Sequence, residues 1–314
     1  MSRNEMKRGV FNLGFILLAP ILFTFFCGPD SKSGEKTNDP YTREVQAWRA
    51  LRLAELKKPD GWLSLSGLFW LQAGMNSFGG DPGNDVVFGG EGVPPRIGFF
   101  RFSGGEVHFL PVPGVRVTRG EVPVIEEITL QSDTGGSPTI LSLGRYNWHI
   151  IRRGDRLGVR IKDARHPRID RLRRIDAFPI DPVWRLDAIL EIPESPRRIA
   201  IPTVLGTFEE QELAGILVFR LGGEEHRLSA LRSGDDLFII FADRTTGFET
   251  YGGGRFLNVD APDAHGRTWI DFNRAINPPC VFSPFATCPL PPEGNRLNVR
   301  VTAGEKMVRD FHHP

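Results

Sequence analysis

The chain has 314 residues with almost balanced charge (Lys+Arg 39, Asp+Glu 38, net +1), 35 glycines, 25 prolines and three cysteines. So even a balance gives no reason to expect nucleic acid or an anionic surface as a general partner. The length accommodates two domains, and scarce helical periodicity among many turn residues predicts a mainly β chain with few covalent staples.

The first residues carry a targeting pattern. Arg3, Lys7 and Arg8 form a basic head, an apolar run covers 10–26, and Cys27 is followed by the polar, breaker-rich stretch GPDSKSGEKTNDP. A basic head, a short apolar core and a polar follower make a secretory signal. With a cysteine closing the apolar core, residues 1–27 resemble a bacterial lipoprotein signal. That resemblance implies lipidation of Cys27, a membrane contact through the lipid, and a disordered tether over 28–38. Phe25 and Phe26 stand where such signals usually carry small residues, so an uncleaved anchor and plain secretion stay open. All three place the body of the protein in the cell envelope or beyond, outside the cytoplasm.

Residues 39–61 are expected to hold a helix and its stop. Asp39 suits the cap, Pro40 the first helical position, and Pro59-Asp60-Gly61 the termination. Val45, Trp48, Leu51 and, less cleanly, Leu56 fall along one side, with Arg49, Arg52 and Glu55 elsewhere, which predicts an amphipathic helix packed by its apolar side.

From 62 to 165 short apolar runs alternate with turn signals: LSLSGLFWL, NDVVFGG, RIGFFRF, GEVHFLPV, GVRVTRG, TILSLG, YNWHIIRRG and RLGVRIKD. Their spacing predicts a β-sandwich. Leu71, Gly74, Phe78-Gly79 and Asn84-Asp85-Val86-Val87-Phe88 resemble the opening of forkhead-associated (FHA) domains. Gly80 stands where that family carries its phosphate-binding Arg, and PPRIGFF replaces its Ser-Arg-X-His stretch, so the resemblance implies the fold without phosphopeptide recognition.

RHPRIDRLRRID at 165–176 reads as a basic connector. Residues 166–314 then supply WRLDAILEI, RRIAIPTVLG, LAGILVFRLGG, EEHRLSALR, DLFIIFADR, RTWIDF and RLNVRVTAG, expected to form a second antiparallel β-domain or barrel.

Within it, 248–297 is dense in Gly, Pro, Asn, Arg and Cys, as fixed-shape loops that carry binding or catalysis often are. Arg255, Arg274 and Arg296 offer planar forks for a carboxylate or phosphate, Asn273 and Asn277 offer donor and acceptor, and Gly253 within a triple glycine permits close backbone approach. Together they predict a site for a small anionic ligand. Asp271 and Asp181 are the candidate acid–base carboxylates, Asp181 being held between two prolines beside Trp184. The competing expectation is a structural network in a non-enzymatic envelope interaction protein, with Asp181 a turn starter. The triple glycine lacks the βαβ context of a nucleotide loop, so no cofactor is implied.

Cys280 and Cys288 lie eight apart in a proline-rich loop. In an oxidising compartment the leading expectation is a disulfide; a metal site, a nucleophile and buried thiols are the alternatives. No metal is expected, because no Cys-x-x-Cys or His-x-x-x-His spacing supplies further ligands.

DGWLSLSGLFWL at 60–71, FPIDPVW at 178–184, DFNRAINPPC at 271–280 and ATCPLPPEGNRL at 286–297 together resemble a bacterial family known as domain of unknown function 1684. The resemblance covers nearly everything after the tether. It implies no activity and carries over no catalytic residue.

Overall fold

Aromatic alternation builds the first half of the fold. In this computed structural model, which describes residues 39–308, Phe78, Phe100, Phe109 and Trp148 are all fully buried and meet edge-on or tilted at 5.1–5.9 Å between ring centroids. The targeting segment 1–27 with Cys27, and the tether 28–38, lie outside the described residues.

The rings sit between two sheets. The strands are β1 (Leu65–Trp70), β2 (Gly74–Gly79), β3 (Val86–Val87), β4 (Gly98–Ser103), β5 (Glu106–Pro111), β6 (Thr118–Arg119), β7 (Val122–Pro123), β8 (Ile128–Leu130), β9 (Leu141–Leu143), β10 (Tyr146–Arg153) and β11 (Arg156–Asp163). One sheet has the order β3-β2-β4-β5-β8 and the other β1-β11-β10-β9-β6-β7. Phe78, Phe100 and Leu130 from the first pack on Leu141, Trp148, Ile150, Val159 and Ile161 from the second. The mainly β expectation and the sandwich pattern hold.

The second half is a seven-stranded sheet curled into a half-barrel. It comprises β12 (Arg185–Glu191), β13 (Arg197–Pro202), β14 (Phe208–Leu221), β15 (Glu224–Ser233), β16 (Asp236–Phe241), β17 (Arg255–Val259) and β18 (Arg267–Asp271). Its order is β17-β16-β15-β14-β12-β18, with β13 paired to β14. All the pairings in this sheet are antiparallel. Leu217, Leu228, Ile239, Leu257 and Ile270 point into the concave core, and Val301 and Ala303 cover it.

RLNVRVTAG, expected as a strand, is one only in its side chains. Leu297, Val301 and Ala303 do alternate into the core, but the backbone pairs with 242–244 only as far as Val299, through Leu297 N–H to the Ala242 carbonyl (2.8 Å) and Arg244 N–H to the Val299 carbonyl (2.9 Å). The Arg255 guanidinium takes the ladder's place, donating to the carbonyls of Val301 (3.0 Å) and Ala303, while the Val301 N–H donates to Asp243 (3.2 Å). The reverse correction applies to Gly74–Gly79, Ile128–Leu130 and Arg255–Val259, which are strands although glycine or loop composition hides their alternation.

One long helix, α1 (Pro40–Leu56), precedes the sandwich. Asp39 caps it, accepting from the Thr42 N–H at 3.0 Å. Its inward side is the expected one at Val45 and Leu56, which are buried, and at half-buried Trp48, but Leu51 is 66% exposed, and half-buried Tyr41, Arg49 and Arg52 complete a stripe with Val45 and Leu56. That stripe has helical spacing too. Two arginines tolerate it because the surface they meet is a row of loop carbonyls rather than apolar side chains. Among the described residues no helix is long and apolar enough to cross a membrane.

Candidate functional site

The C-terminal loops receive α1 through the residues of the DFNRAIN run. β18 ends in Asp271, whose carboxylate accepts the Asn273 N–H (3.0 Å) and so starts the short turn Phe272–Arg274. The same oxygen accepts the Tyr41 hydroxyl at 2.8 Å, and burial together with this carboxylate pushes the phenol well up. Asn273 is fully buried. Its amide donates to the Tyr41 hydroxyl and the Asp181 carbonyl, both at 2.8 Å, and its oxygen accepts the Asp181 N–H at 3.1 Å. Arg274 pairs with Glu44 of the helix and with Asp271 (3.4 Å), and lies over the Trp48 ring at 5.9 Å.

The next helical turn repeats the pattern. Arg49 donates to the carbonyls of Phe178 and Asn273, and Arg52 to the Asn277 carbonyl (3.1 Å) and to Glu305 (3.4 Å). Glu305 also accepts the Asn277 N–H at 2.6 Å, and the Asn277 amide donates to the Lys306 carbonyl at 2.8 Å. Burial pushes Glu305 up from its ordinary value, against the pull of Arg52, the Asn277 N–H and Arg49. Burial also lowers Arg49.

Beside these groups lies a cavity of about 200 Å³. Arg49, Arg174 and Glu305 supply its charged wall; Ala50, Leu53, Ile175 and Ala177 its apolar one.

The three motif arginines do not share a site. Arg255 is fully inaccessible, paired with Asp243 at 2.8 Å, and faces the carbonyls described above. Arg274 belongs to the helix seam, and Arg296 is exposed where its backbone bridges Ala242. A ligand cannot reach Arg255, because every direction from its fork is occupied by protein. Asp181 caps the turn Pro182–Trp184, accepting the Val183 N–H at 3.1 Å. The triple glycine is a packing device: at Gly253 a Cβ would lie 2.6 Å from the Tyr251 ring. Gly254 has φ +82° and would drive a Cβ into Pro291 and the Phe241 carbonyl.

Cys280 and Cys288 are brought together as two thiols. Each sulfur accepts the other residue's backbone N–H, at 3.1 and 3.3 Å. Among the described residues no group of three or more His, Cys, Asp or Glu is placed to hold a metal ion.

Several participants lay outside the expected set: Tyr41, Arg49, Arg52, Glu305, Asp243 and Asn295. Asn295, nearly inaccessible, bonds both backbone groups of Ser229 and the Ile240 carbonyl at 2.7–2.9 Å. The positions 41, 45, 49, 52 and 56 form a helical stripe that was available in the sequence. Asp243 and Glu305 leave no such local signal, since their partners are remote in sequence.

Comparison with known proteins adds a family and no activity. The family model described as "Protein of unknown function (DUF1684)" matches residues 170–306. Among solved structures, the solution NMR structure of an uncharacterized protein from gene locus rrnAC0354 of Haloarcula marismortui is 35% identical, covering 46% of this chain and 80% of that one, with a TM-score of 0.38. No curated protein matches the chain.

Proposed function

The chain belongs to the DUF1684 family of proteins of unknown function, and we propose that it binds a small carboxylate-bearing compound in the seam between α1 and the C-terminal loops. The observation behind this reading is the cavity of about 200 Å³ on which Arg49, Arg174 and the buried Glu305 meet. It is smaller than the roughly 300–1,000 Å³ of drug-sized sites, so its occupant is a small metabolite. The guanidinium groups of Arg49 and Arg174 attract the carboxylate, Ala50, Leu53, Ile175 and Ala177 cover an apolar stem, and Glu305 takes up a hydroxyl or amine of the ligand. A buried, upward-shifted carboxyl beside two cations in a cavity is the kind of group that marks functional sites.

The test is thermal unfolding with small mono- and dicarboxylates and inorganic phosphate. A ligand at one hundred times its Kd stabilises by about 2.7 kcal/mol. Arg174 is 83% exposed in its side chain, so Arg174→Ala leaves the fold intact and should abolish the stabilisation. If no anion stabilises the protein, or Arg174→Ala leaves the effect untouched, the reading fails.

A second reading is favoured by one specific observation: Asp271, Asn273, Arg274 and Asn277 all bond to α1 or to the backbone that holds it. On it the motif is only a joint, in a non-enzymatic protein whose other surfaces meet envelope partners. No anion then stabilises the protein, while Tyr41→Phe still loosens α1, seen as faster amide exchange over 40–56.

Location rests on the pattern of residues 1–27, which supports an exported protein tethered through a lipid on Cys27. Incorporation of a labelled fatty acid, lost in Cys27→Ala, is the expected result. Retention of label without Cys27 would overturn it.

A further inference from the structure

The loop 280–288 returns to the sheet at Pro289, whose backbone bridges Thr203. The reciprocal N–H···S bonds close it at the two cysteines. The two residues differ in access. Cys288 is 4% exposed and packs with Leu65, Ile201 and Phe256, whereas Cys280 is half-buried.

A cation is stationed beside them. Arg160, on β11 and 4% exposed, donates through Nη2 to the hydroxyl of Thr287, the residue before Cys288, at 3.0 Å. Its Nε has no hydrogen-bond partner among the described residues. The carboxylate on that side, Asp133, is taken by Arg153 at 2.8 Å. A buried guanidinium without its own carboxylate is costly, and a neighbouring thiolate offsets that cost. The Cys288 hydrogen bond, then the Cys288 N–H and Arg160, hold Cys280 below the ordinary thiol range in spite of burial, and Cys288 is pushed up because it keeps the shared proton.

We infer that Cys280 and Cys288 are a redox-active dithiol that exchanges with low-molecular-weight disulfides, the more accessible Cys280 attacking and the buried Cys288 resolving. The Cys280 thiolate attacks one sulfur of the disulfide RSSR, forming Cys280–S–S–R and expelling RS⁻. That leaving thiolate, or water, takes the Cys288 proton. The Cys288 thiolate then attacks the Cys280 sulfur, closes the intramolecular disulfide and expels a second RS⁻. Two electrons pass from the two protein sulfurs to the disulfide; one proton comes from Cys288, and solvent, which took the Cys280 proton when the thiolate formed, returns one to the second RS⁻, so that two thiols are released. Arg160 is a positioning residue here: it holds Thr287 and supplies the counter-charge for the attacking sulfur.

The experiment uses the chain with Cys27→Ser, so that only these two thiols remain, reduced with a phosphine and mixed with glutathione disulfide. Intact mass should show loss of two hydrogens with no retained glutathione. With Cys288→Ser added, one glutathione should stay, mapped to Cys280; with Cys280→Ser added, reaction should be at least tenfold slower. Arg160→Met should slow the first adduct several-fold without changing where it forms. Should a serine variant fail to fold, acid quenching of the parent at early times must catch the mixed disulfide on Cys280. Two thiols still alkylatable after incubation, or an adduct formed first on Cys288, would overturn the inference.

Discussion

Arg255 and Arg160 are two buried arginines in different halves of the molecule, and they do different things. Arg255 is fully inaccessible beneath the C-terminal half-barrel, with Asp243 at 2.8 Å and two backbone carbonyls on its fork. Arg160 is almost as buried on the sandwich, yet it has one threonine hydroxyl and no carboxylate of its own, Asp133 being taken by Arg153; the Nε of both arginines lacks a hydrogen-bond partner among the described residues. The first has its carboxylate in place and is architectural. The second holds electrostatic capacity in reserve beside two sulfurs. Burial of a charge does not by itself mark a functional site; what matters is whether its partner is already in place.

The largest expected effect breaks the paired arginine. Arg255→Ala leaves Asp243 buried without its cation and leaves the Val301 and Ala303 carbonyls without donors. Removing one partner of a buried pair costs about 3–5 kcal/mol. Denaturant unfolding should show a loss of that size. A loss below about 1 kcal/mol would mean that the guanidinium does not replace a ladder.

The next effect reads the field around Arg160. His149 stands opposite it in register on β10, and burial, then Arg160 and Lys162, lower its pKa from 6.5 to about 4. Between those values the unfolded chain binds more protons than the fold. This contribution to stability is therefore complete above pH 6.5 and is lost as the pH falls through about 4. A shift of this size, discounted for partial exposure, amounts to roughly 2 kcal/mol. His149→Gln should flatten the stability curve over that interval by about as much. An unchanged slope would show that His149 is protonated in the fold.

Much of the fold could be read directly because its signals are local. YNWHI gives the start of β10 through alternation, and Asp39-Pro40 fixes the start of α1. The site was harder. Hydrophobic period put Leu51 inward and Arg49 outward, since a sequence does not show that the opposing surface is made of carbonyls from Phe178, Asn273 and Asn277. RLNVRVTAG alternates correctly, but past Val299 its carbonyls are met by the guanidinium of Arg255, which is remote in sequence. The DFNRAIN run was recognisable as special, although its arginine and two asparagines proved to hold the helix and the backbone around it. Cys280 and Cys288 could be paired by spacing alone, whereas Arg160, contributed by the other half, could not.

The smallest expected effect tests the comparison most directly. Arg160→Met removes a buried cation, keeps the length of the stem over Trp62, and orphans no carboxylate, because Asp133 remains with Arg153. The lost hydrogen bond to Thr287 contributes about 1 kcal/mol, and relief from burying the charge offsets part of it. Unfolding should therefore change by less than about 1 kcal/mol, several times less than in Arg255→Ala. The same substitution should raise the His149 pKa part of the way from about 4, since burial, the larger cause, is untouched. Titration of the imidazole by NMR separates the two causes. A destabilisation of Arg160→Met equal to that of Arg255→Ala would show that Arg160 too is fully committed to the fold, and the distinction between the two arginines would be lost.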